Sequence, residues 1–238
     1  MNIVIIMPTM RWQNWPRVKA NLQEARGFGR EALGEKVNLT WMPVVYQDEF
    51  RAIEYVESGI LFNTPWIHPL VIPAEPGCNA IARKLNAGLN EMAREWIPDR
   101  AYFFPGADDD FIPRSFARRF AEAAVGFEAK NGRAPKVIVC SCDRGQRCPP
   151  GAYGLGDLIA APENMKVTKV TGSQAIIRMD ALEGLRYAHH PWADGILLEQ
   201  LHMKMPEEFC YIPDFFVPFN ALQEGRWDAD KLKTLIEK

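Results

Sequence analysis

The chain has 238 residues, of which 47% are hydrophobic and 24% are charged, which is typical of a soluble globular protein with room for one large domain or two small ones. Its formal net charge of −2 gives no general attraction to nucleic acid or to anionic membranes. We find no secretory leader pattern and no apolar run of about 18 residues, so we expect a cytoplasmic protein without a membrane span.

Strand-like and helix-like patterns alternate up to residue 142. The first strand pattern, Ile3 to Met7, is a continuous apolar run that ends at Pro8-Thr9, as expected for a strand buried on both faces of a parallel sheet. Further strand patterns cover 37–48, 101–104 and 136–142, and helix patterns cover 14–28, 77–96 and 113–132. This alternation is typical of an α/β fold with a largely parallel sheet.

The second part of the chain is less regular. Residues 143–157 are rich in Gly and Pro and are long enough to form a functional loop, such as a mobile lid. We predict a strand, a turn and a second strand over 166–182, a turn and a helix over 189–205, an edge strand over 211–220 and a final short helix over 228–238. The whole chain, 1–238, is therefore predicted to be a single α/β domain.

Three consecutive acids, Asp108, Asp109 and Asp110, follow the strand pattern at 101–104. They form either a polar turn in which Asp110 or Ser115 helps to start the next helix, or a site for a hard cation such as Mg²⁺ or Mn²⁺. In open α/β sheets, ligands bind at the carboxyl ends of the strands, which favours the metal site.

Cysteine spacing gives little support for a zinc site. Three of the five cysteines have a C-x-C-x5-C spacing, and no second pair is placed to complete four ligands. We therefore predict free thiols. The five are Cys78, Cys140, Cys142, Cys148 and Cys210.

Taken in chain order, several weak motifs resemble the family-2 glycosyltransferases, which are nucleotide-sugar enzymes of the GT-A fold. The first strand ends in Pro8-Thr9 and is closely followed by Arg11, and the second strand pattern ends at Asp48. The resemblance implies that Pro8, Thr9 and Arg11 contact the donor and that Asp48 contacts its base. It extends from residue 3 to about residue 203 and consists of an ordered set of motifs rather than one decisive string.

The family's "RN-x-G" helix segment is matched by Arg83, Asn86 and Gly88, which implies donor contacts from Arg83 and Asn86. The family's DxD region, which follows a strand, is matched by the acid triplet 108–110. The resemblance implies that these acids hold Mn²⁺ or Mg²⁺ and that Asp108 also contacts the donor. Which two of the three carboxylates bind the metal stays open.

Later motifs imply an acceptor site and a catalytic base. Gly172 and Arg178 match a glycine turn and a basic strand residue, and Trp192 offers an indole ring for a sugar face. Asp194 stands where the family has an acidic pair opening a helix, so it is the candidate general base. His202 is either an additional metal ligand, as in some GT-A enzymes, or a partly buried helix residue.

The resemblance implies a Rossmann-like, three-layer α/β/α GT-A domain with a mixed, mostly parallel sheet, divided into a nucleotide-sugar-binding half, 1–113, and an acceptor-binding half, 114–238. It implies a metal-dependent, inverting glycosyltransferase. UDP is the first candidate nucleotide because Asp48 would accept the N3–H of uracil. The acceptor is a glycan, a lipid-linked sugar, a protein or a modified nucleic acid.

Two other functions are compatible with such a fold. A sugar-nucleotide nucleotidyltransferase needs a glycine-rich segment after its first strand, and "MPTMRWQNWP" contains no glycine. A catalytically silent nucleotide-sugar-binding protein is favoured by one feature, the reduction of the acidic pair to Asp194 alone.

Overall fold

Strands and helices alternate through the chain, for which a computed structural model describes residues 1–59, 64–74, 80–96, 100–145, 157–188, 190, 192–219, 221–222 and 227–237. The strands are β1 Asn2–Pro8, β2 Asn38–Tyr46, β3 Leu70–Ile72, β4 Ala101–Pro105, β5 Val137–Asp143, β6 Asp157–Leu158, β7 Ala175–Arg178 and β8 Phe209–Pro218. The helices are α1 Trp15–Leu33, α2 Phe50–Glu57, α3 Ala80–Glu95, α4 Phe116–Asn131, α5 Ala193–Lys204 and α6 Ala229–Glu237.

The described strands form one mixed sheet. β1 lies between β2 and β4, and β2 pairs with β3, all in parallel. β7 runs antiparallel between β4 and β5, while β6 is antiparallel and β8 parallel to β5. The order is β3-β2-β1-β4-β7-β5, with β6 and β8 also paired to β5. The predicted α/β class with a mixed, mostly parallel sheet is confirmed.

Helices cover both faces of this sheet. In β1, Ile3 and Ile5 pack into a core with residues of α1 and α4, whereas Val4 and Ile6 pack into a second core with residues of α3 and α5. Alternate residues of a strand point to opposite faces, so a strand between two helical layers needs a continuous apolar run. The result is a three-layer α/β/α arrangement.

Helix ends follow the sequence signals in part. Pro16 lies in the first turn of α1, where its missing N–H costs nothing. Asn14 precedes that helix without a side-chain capping hydrogen bond. Gly132 ends α4 with a φ of 71°, a left-handed conformation that glycine adopts most readily.

The prediction differs from the structure at four elements. The short helix α2, the three-residue strand β3 and the two-residue strand β6 were not expected. The first of the two strands predicted over 166–182 is wrong, because residues 166–170 form turns and only β7 is a strand. None of the helices in the described ranges has the length and apolar character needed to cross a membrane.

Candidate active site

The carboxyl ends of β1, β2 and β4 meet at one edge of the sheet because these strands are parallel. The loops after β1 and β4 border a cavity of about 500 Å³ at this edge. Its lining includes three carboxylates and one guanidinium group from three separate segments, namely Arg11, Asp108, Asp109 and Asp194. This edge is where open α/β sheets bind their ligands.

Asp108 is buried, with 1% of the residue exposed, and is held by the loop that follows β1. Its Oδ2 accepts the main-chain N–H groups of Met10, at 2.5 Å, and of Arg11. Its Oδ1 lies 3.1 Å from Arg11 Nη1. A buried carboxylate is costly unless it is paired and hydrogen bonded, so Asp108 and the loop stabilise each other.

Asp109 shares the same guanidinium group, since its Oδ2 lies 2.8 Å from Arg11 Nη1. Burial raises the pKa of Asp109 above its usual 3.8, the positive charge of Arg11 lowers it, and the negative charge of Asp108 raises it. The main-chain oxygen of Asp109 accepts the N–H of Leu222 at 2.9 Å, which brings the segment after β8 against the acid triplet.

Asp110 has a different environment. Its Oδ2 accepts the hydroxyl hydrogen of Ser173 at 2.8 Å, in the short 3-10 turn that precedes β7. Asp108 and Asp109 line the cavity, whereas Asp110 ties this turn to the loop after β4. Two of the three consecutive carboxylates therefore line the cavity, and the third bonds to the turn before β7.

Carboxylate oxygens are the donors that Mg²⁺ and Mn²⁺ prefer, and such ions commonly combine one or two carboxylates with substrate phosphates. Asp108 and Asp109 present this donor type to the cavity, with Arg11 as the counter-charge at the same oxygens. Within the described ranges, no group of three or more His, Cys, Asp or Glu side chains is arranged to hold a metal ion. The pair fits a cation that also takes ligands from a substrate.

Asp194 lies in the first turn of α5 and lines the same cavity. Its Oδ2 accepts the N–H of Gly172 at 2.6 Å and the hydroxyl hydrogen of Thr171 at 3.1 Å. Its Oδ1 accepts the N–H of Gly195 at 2.8 Å. These hydrogen bonds hold the carboxylate in one orientation and join the start of α5 to the turn before β7.

Tyr187 lines the cavity near Asp194 and is held in place by Asn86. Asn86 donates to the main-chain oxygen of Tyr187 at 3.0 Å and accepts its N–H at 2.9 Å, so α3 fastens this segment. Burial raises the pKa of the Tyr187 hydroxyl well above its usual 10.0, and the negative charge of Asp194 raises it further. Tyr187 therefore stays protonated.

A second cavity, of about 450 Å³, adjoins the first, and Met10 lines both. Thr9, Asp48 and Phe50 also line it. Asp48 is exposed in the turn after β2, and 72% of Phe50 is exposed at the start of α2. The structure thus brings Pro8, Thr9, Arg11 and Asp48 to the two neighbouring cavities at this edge.

The structure does not bring the other four predicted site residues together. The guanidinium carbon of Arg83 lies 5.6 Å from the centre of the Tyr46 ring, and Arg83 lines neither cavity. Trp192 is 46% exposed, next to His190 at the first cavity. Arg178 pairs with Asp180 at the opposite edge of the sheet, where β4 begins. The His202 ring packs against Phe209 at the start of β8, at that same opposite edge.

The sequence interpretation missed Lys84, Glu49, Thr171 and Ser173. Lys84 is fully buried and bonds to Glu49 and to the main chain of Thr9, while Thr171 and Ser173 bond to Asp194 and Asp110. The one available signal was Lys84 itself, a lysine on the apolar face of the predicted helix between Ile81 and Gly88.

Cys140 and Cys142 are free and buried in β5, and Cys210 is free and half-buried. The prediction of free thiols is met at these three positions. Cys78, Cys148 and most of the glycine- and proline-rich segment 143–157 lie outside the described residues.

No protein-family model matches this chain, and no curated protein matches it. Solved structures of Staphylococcus aureus TarS, residues 1–349, are similar to it. The TarS complex with UDP has a TM-score of 0.59 at 11% identity, covering 92% of this chain and 61% of TarS 1–349. The complex with UDP-GlcNAc has a TM-score of 0.55 at 12% identity, covering 94% and 60%.

The chain has the GT-A fold. TarS 1–349 without a named ligand gives the same result, with a TM-score of 0.56 at 12% identity over 91% of this chain and 59% of TarS 1–349. This chain therefore spans about three fifths of the length of TarS 1–349. The GT-A fold is that of nucleotide-diphospho-sugar transferases, as the sequence resemblance implied.

Proposed function

We propose that the protein is a metal-dependent glycosyltransferase that moves a sugar from a nucleoside-diphosphate sugar to an acceptor hydroxyl with inversion. The observation that carries the proposal is the position of Asp108, Asp109 and Asp194 around one cavity at the carboxyl edge of a GT-A sheet. Inverting transfer needs a base for the acceptor hydroxyl and positive charge for the departing diphosphate. In this proposal, residues 1–113 bind the donor and residues 114–238 bind the acceptor.

The second cavity is the proposed site of the nucleoside base. Asp48 is exposed there and would accept the N3–H of uracil, and Phe50 and Trp12 offer apolar ring surface for a base. Met10 lines both cavities, so a donor whose base lies beside Asp48 would extend its diphosphate toward Asp108. The UDP and UDP-GlcNAc complexes of TarS support a uridine nucleotide as the first candidate.

Asp108 and Asp109 are the proposed ligands of a Mg²⁺ or Mn²⁺ ion. Such an ion would neutralise charge on the departing diphosphate. Arg11 contributes a second positive charge at this point, and its side chain is 55% exposed, so the guanidinium can turn toward a phosphate group.

Asp194 is the proposed general base. Its hydrogen bonds to Gly172 and Thr171 orient the carboxylate in the cavity, ready to take the proton of an acceptor hydroxyl. Trp192, exposed nearby, offers an apolar face for the acceptor sugar. The acceptor then approaches from the α5 side, while the donor phosphates lie on the side of the acid triplet.

The test combines nucleotide binding with turnover. We expect UDP to raise the melting temperature more than GDP, CDP or dTDP, and to do so more strongly with Mn²⁺ present. We expect slow hydrolysis of UDP-sugars by the wild type, reduced about 10²- to 10⁴-fold in Asp194→Asn, as for the loss of a general base. UDP binding should be unchanged in Asp194→Asn.

Asp180→Asn is the matched control, because Asp180 accepts hydrogen bonds from Arg178 at the opposite edge of the sheet. It should keep the wild-type rate. The proposal would be contradicted if none of the four nucleotides raised the melting temperature, with or without Mn²⁺. Metal-dependent UDP binding without turnover of any donor would instead favour the catalytically silent binding protein.

A further inference from the structure

Lys84, on α3, is a fully buried cation beneath the candidate site, with 0% of the residue exposed. It lies one turn before Gly88, where a Cβ atom would come within 2.5 Å of Ile6 Cγ2, so this face of α3 packs directly on β1. A buried ammonium group is strongly unfavourable unless it is paired and hydrogen bonded. The partners of Lys84 therefore matter to the fold around it.

The three donor hydrogens of the Lys84 ammonium group have three oxygen acceptors. Nζ lies 2.6 Å from the main-chain oxygen of Thr9 and 2.8 Å from both Oε1 and Oε2 of Glu49. The centre of the Tyr46 ring is 4.5 Å from Nζ, within the range of a cation–π interaction. Glu49 Oε2 also accepts the N–H of Tyr46 at 2.6 Å, which closes the turn after β2.

The contacts of Lys84 with Thr9 and with Glu49 lead to two different parts of the candidate site. Thr9 is followed by Met10 and Arg11, whose N–H groups bond to Asp108. Glu49 stands between Asp48 and Phe50, which line the second cavity. Lys84 thus joins the loop that supports the acid triplet to the turn that forms the proposed base site.

We propose that Lys84 is a positioning residue of the donor site: it fastens the Thr9–Arg11 loop to Glu49, and so sets the distance between the diphosphate and base positions. The part of this inference that concerns the donor rests on the proposed function. Lys84 acts through Thr9 and Glu49 and makes no contact with the donor itself. Removing its charge frees the loop and the turn to move independently, which weakens nucleotide binding.

The test separates this role from that of an ion pair that only stabilises the fold. We compare the wild type with Lys84→Met, with Glu49→Gln and with the double variant Lys84→Met/Glu49→Gln, and measure melting temperature and the Kd of UDP with Mn²⁺ present. Glu49→Gln leaves the buried Lys84 ammonium group without its counter-charge, Lys84→Met leaves the partly exposed Glu49 carboxylate without one, and the double variant removes both charges. We expect the double variant to have a higher melting temperature than the single variants. We also expect it to bind UDP about tenfold more weakly than the wild type.

Lys130→Met is the matched control, because Lys130 is exposed in the last turn of α4. It should leave both measurements unchanged. If the double variant, or a folded Lys84→Met, binds UDP as tightly as the wild type, Lys84 serves stability alone and the inference is overturned.

Amide hydrogen exchange distinguishes a failure of this inference from a failure of the proposed function. In the protein without nucleotide, we expect the amides of Met10 and Arg11 to exchange faster in Lys84→Met and in the double variant, with exchange in α4 unchanged. Unchanged exchange at Met10 and Arg11 would overturn the positioning role. A wild type that binds none of the four nucleotides would overturn the proposed function, while the exchange result would still decide whether Lys84 holds the loop.

Discussion

The Oδ2 atom of Asp194 lies 2.6 Å from the main-chain nitrogen of Gly172, and this contact joins the first turn of α5 to the turn before β7. The approach depends on the absence of a side chain at position 172. A Cβ atom there would lie 3.2 Å from Asp194 Cβ and 2.9 Å from Pro105 Cγ. The position of the proposed base is therefore set by a glycine that is 22 residues away in the sequence.

Gly172→Ala tests that dependence. The added methyl group has to displace Asp194 or Pro105, so we expect a loss of about 1–3 kcal/mol in the free energy of unfolding, measured with urea. We expect the rate of UDP-sugar hydrolysis to fall about 10²-fold, because small displacements of a catalytic group are costly.

Gly126→Ala is the control for Gly172→Ala. A Cβ at position 126, inside α4, meets no atom within 4 Å, so alanine should stabilise the helix by up to about 1 kcal/mol and leave turnover unchanged. A wild-type hydrolysis rate in Gly172→Ala would show that the carboxylate tolerates displacement, and would argue against Asp194 as the base.

Arg11→Gln should make the free energy of unfolding depend more strongly on pH through Asp109. The pKa of Asp109 is raised in the folded protein, so its ionised form destabilises the fold, and this cost disappears as the pH falls through the folded pKa toward 3.8. Arg11 lowers this pKa, so removing the guanidinium raises it further. We expect Arg11→Gln to lose more unfolding free energy at about pH 7 than at about pH 5.

Adding Asp109→Asn to Arg11→Gln provides the check. Without an ionisable group at position 109, the loss caused by Arg11→Gln should be nearly the same at the two pH values. A loss that stays larger near neutral pH in this double variant would assign the effect to another carboxylate.

Cys140 and Cys142 should be unreactive in the folded protein. Burial raises the pKa of both thiols far above the usual 9.0, and burial raises that of Cys210 to about 11. The thiolate is the reactive form, so iodoacetamide at about pH 8 should label Cys140 and Cys142 only after unfolding, as read from the labelled peptides. Labelling of Cys140 at equal rates in the folded and unfolded protein would contradict its burial.

Local patterns were sufficient for most of the fold. The apolar runs of β1, β4 and β5 and the periodicity of α3 and α4 are local signals, and the structure has these elements where they were predicted. The strand β3 has three residues, too few for a pattern. In the wrongly predicted strand, Val167 and Val170 are three positions apart, so they cannot lie on one face of a strand, and the segment forms turns.

Site residues that follow a parallel strand could be located from the sequence. Residues next to a strand whose direction the sequence does not show could not be assigned to an edge of the sheet. Asp108 and Asp109 follow a strand whose direction the α/β pattern implies. Gly172 lies in the turn that precedes β7, and Arg178 ends β7, which runs antiparallel to β4; the glycine therefore lies at the cavity and the arginine at the opposite edge. His202 is eight residues beyond Asp194, about 12 Å along α5 and away from the cavity.

Long-range hydrogen bonds account for what the sequence could not show. Lys84 bonds to groups 75 and 35 residues away, and Ser173 bonds to Asp110 across 63 residues. No spacing rule connects such positions, because their distance depends on how the helices pack on the sheet. The hydrogen bond between Ser173 and Asp110 could therefore not be predicted from the sequence.

The acid triplet gives a direct test of which carboxylates hold the metal. Asp109 lines the cavity and Asp110 bonds to Ser173, so we expect Asp109→Asn to weaken Mn²⁺ binding in the presence of UDP by about tenfold or more, and Asp110→Asn to change it little. Both substitutions are isosteric and adjacent, so each is the control for the other. Electron paramagnetic resonance of free Mn²⁺ measures the binding. Loss of Mn²⁺ binding in Asp110→Asn with retention in Asp109→Asn would assign the metal to the Asp108 and Asp110 pair instead.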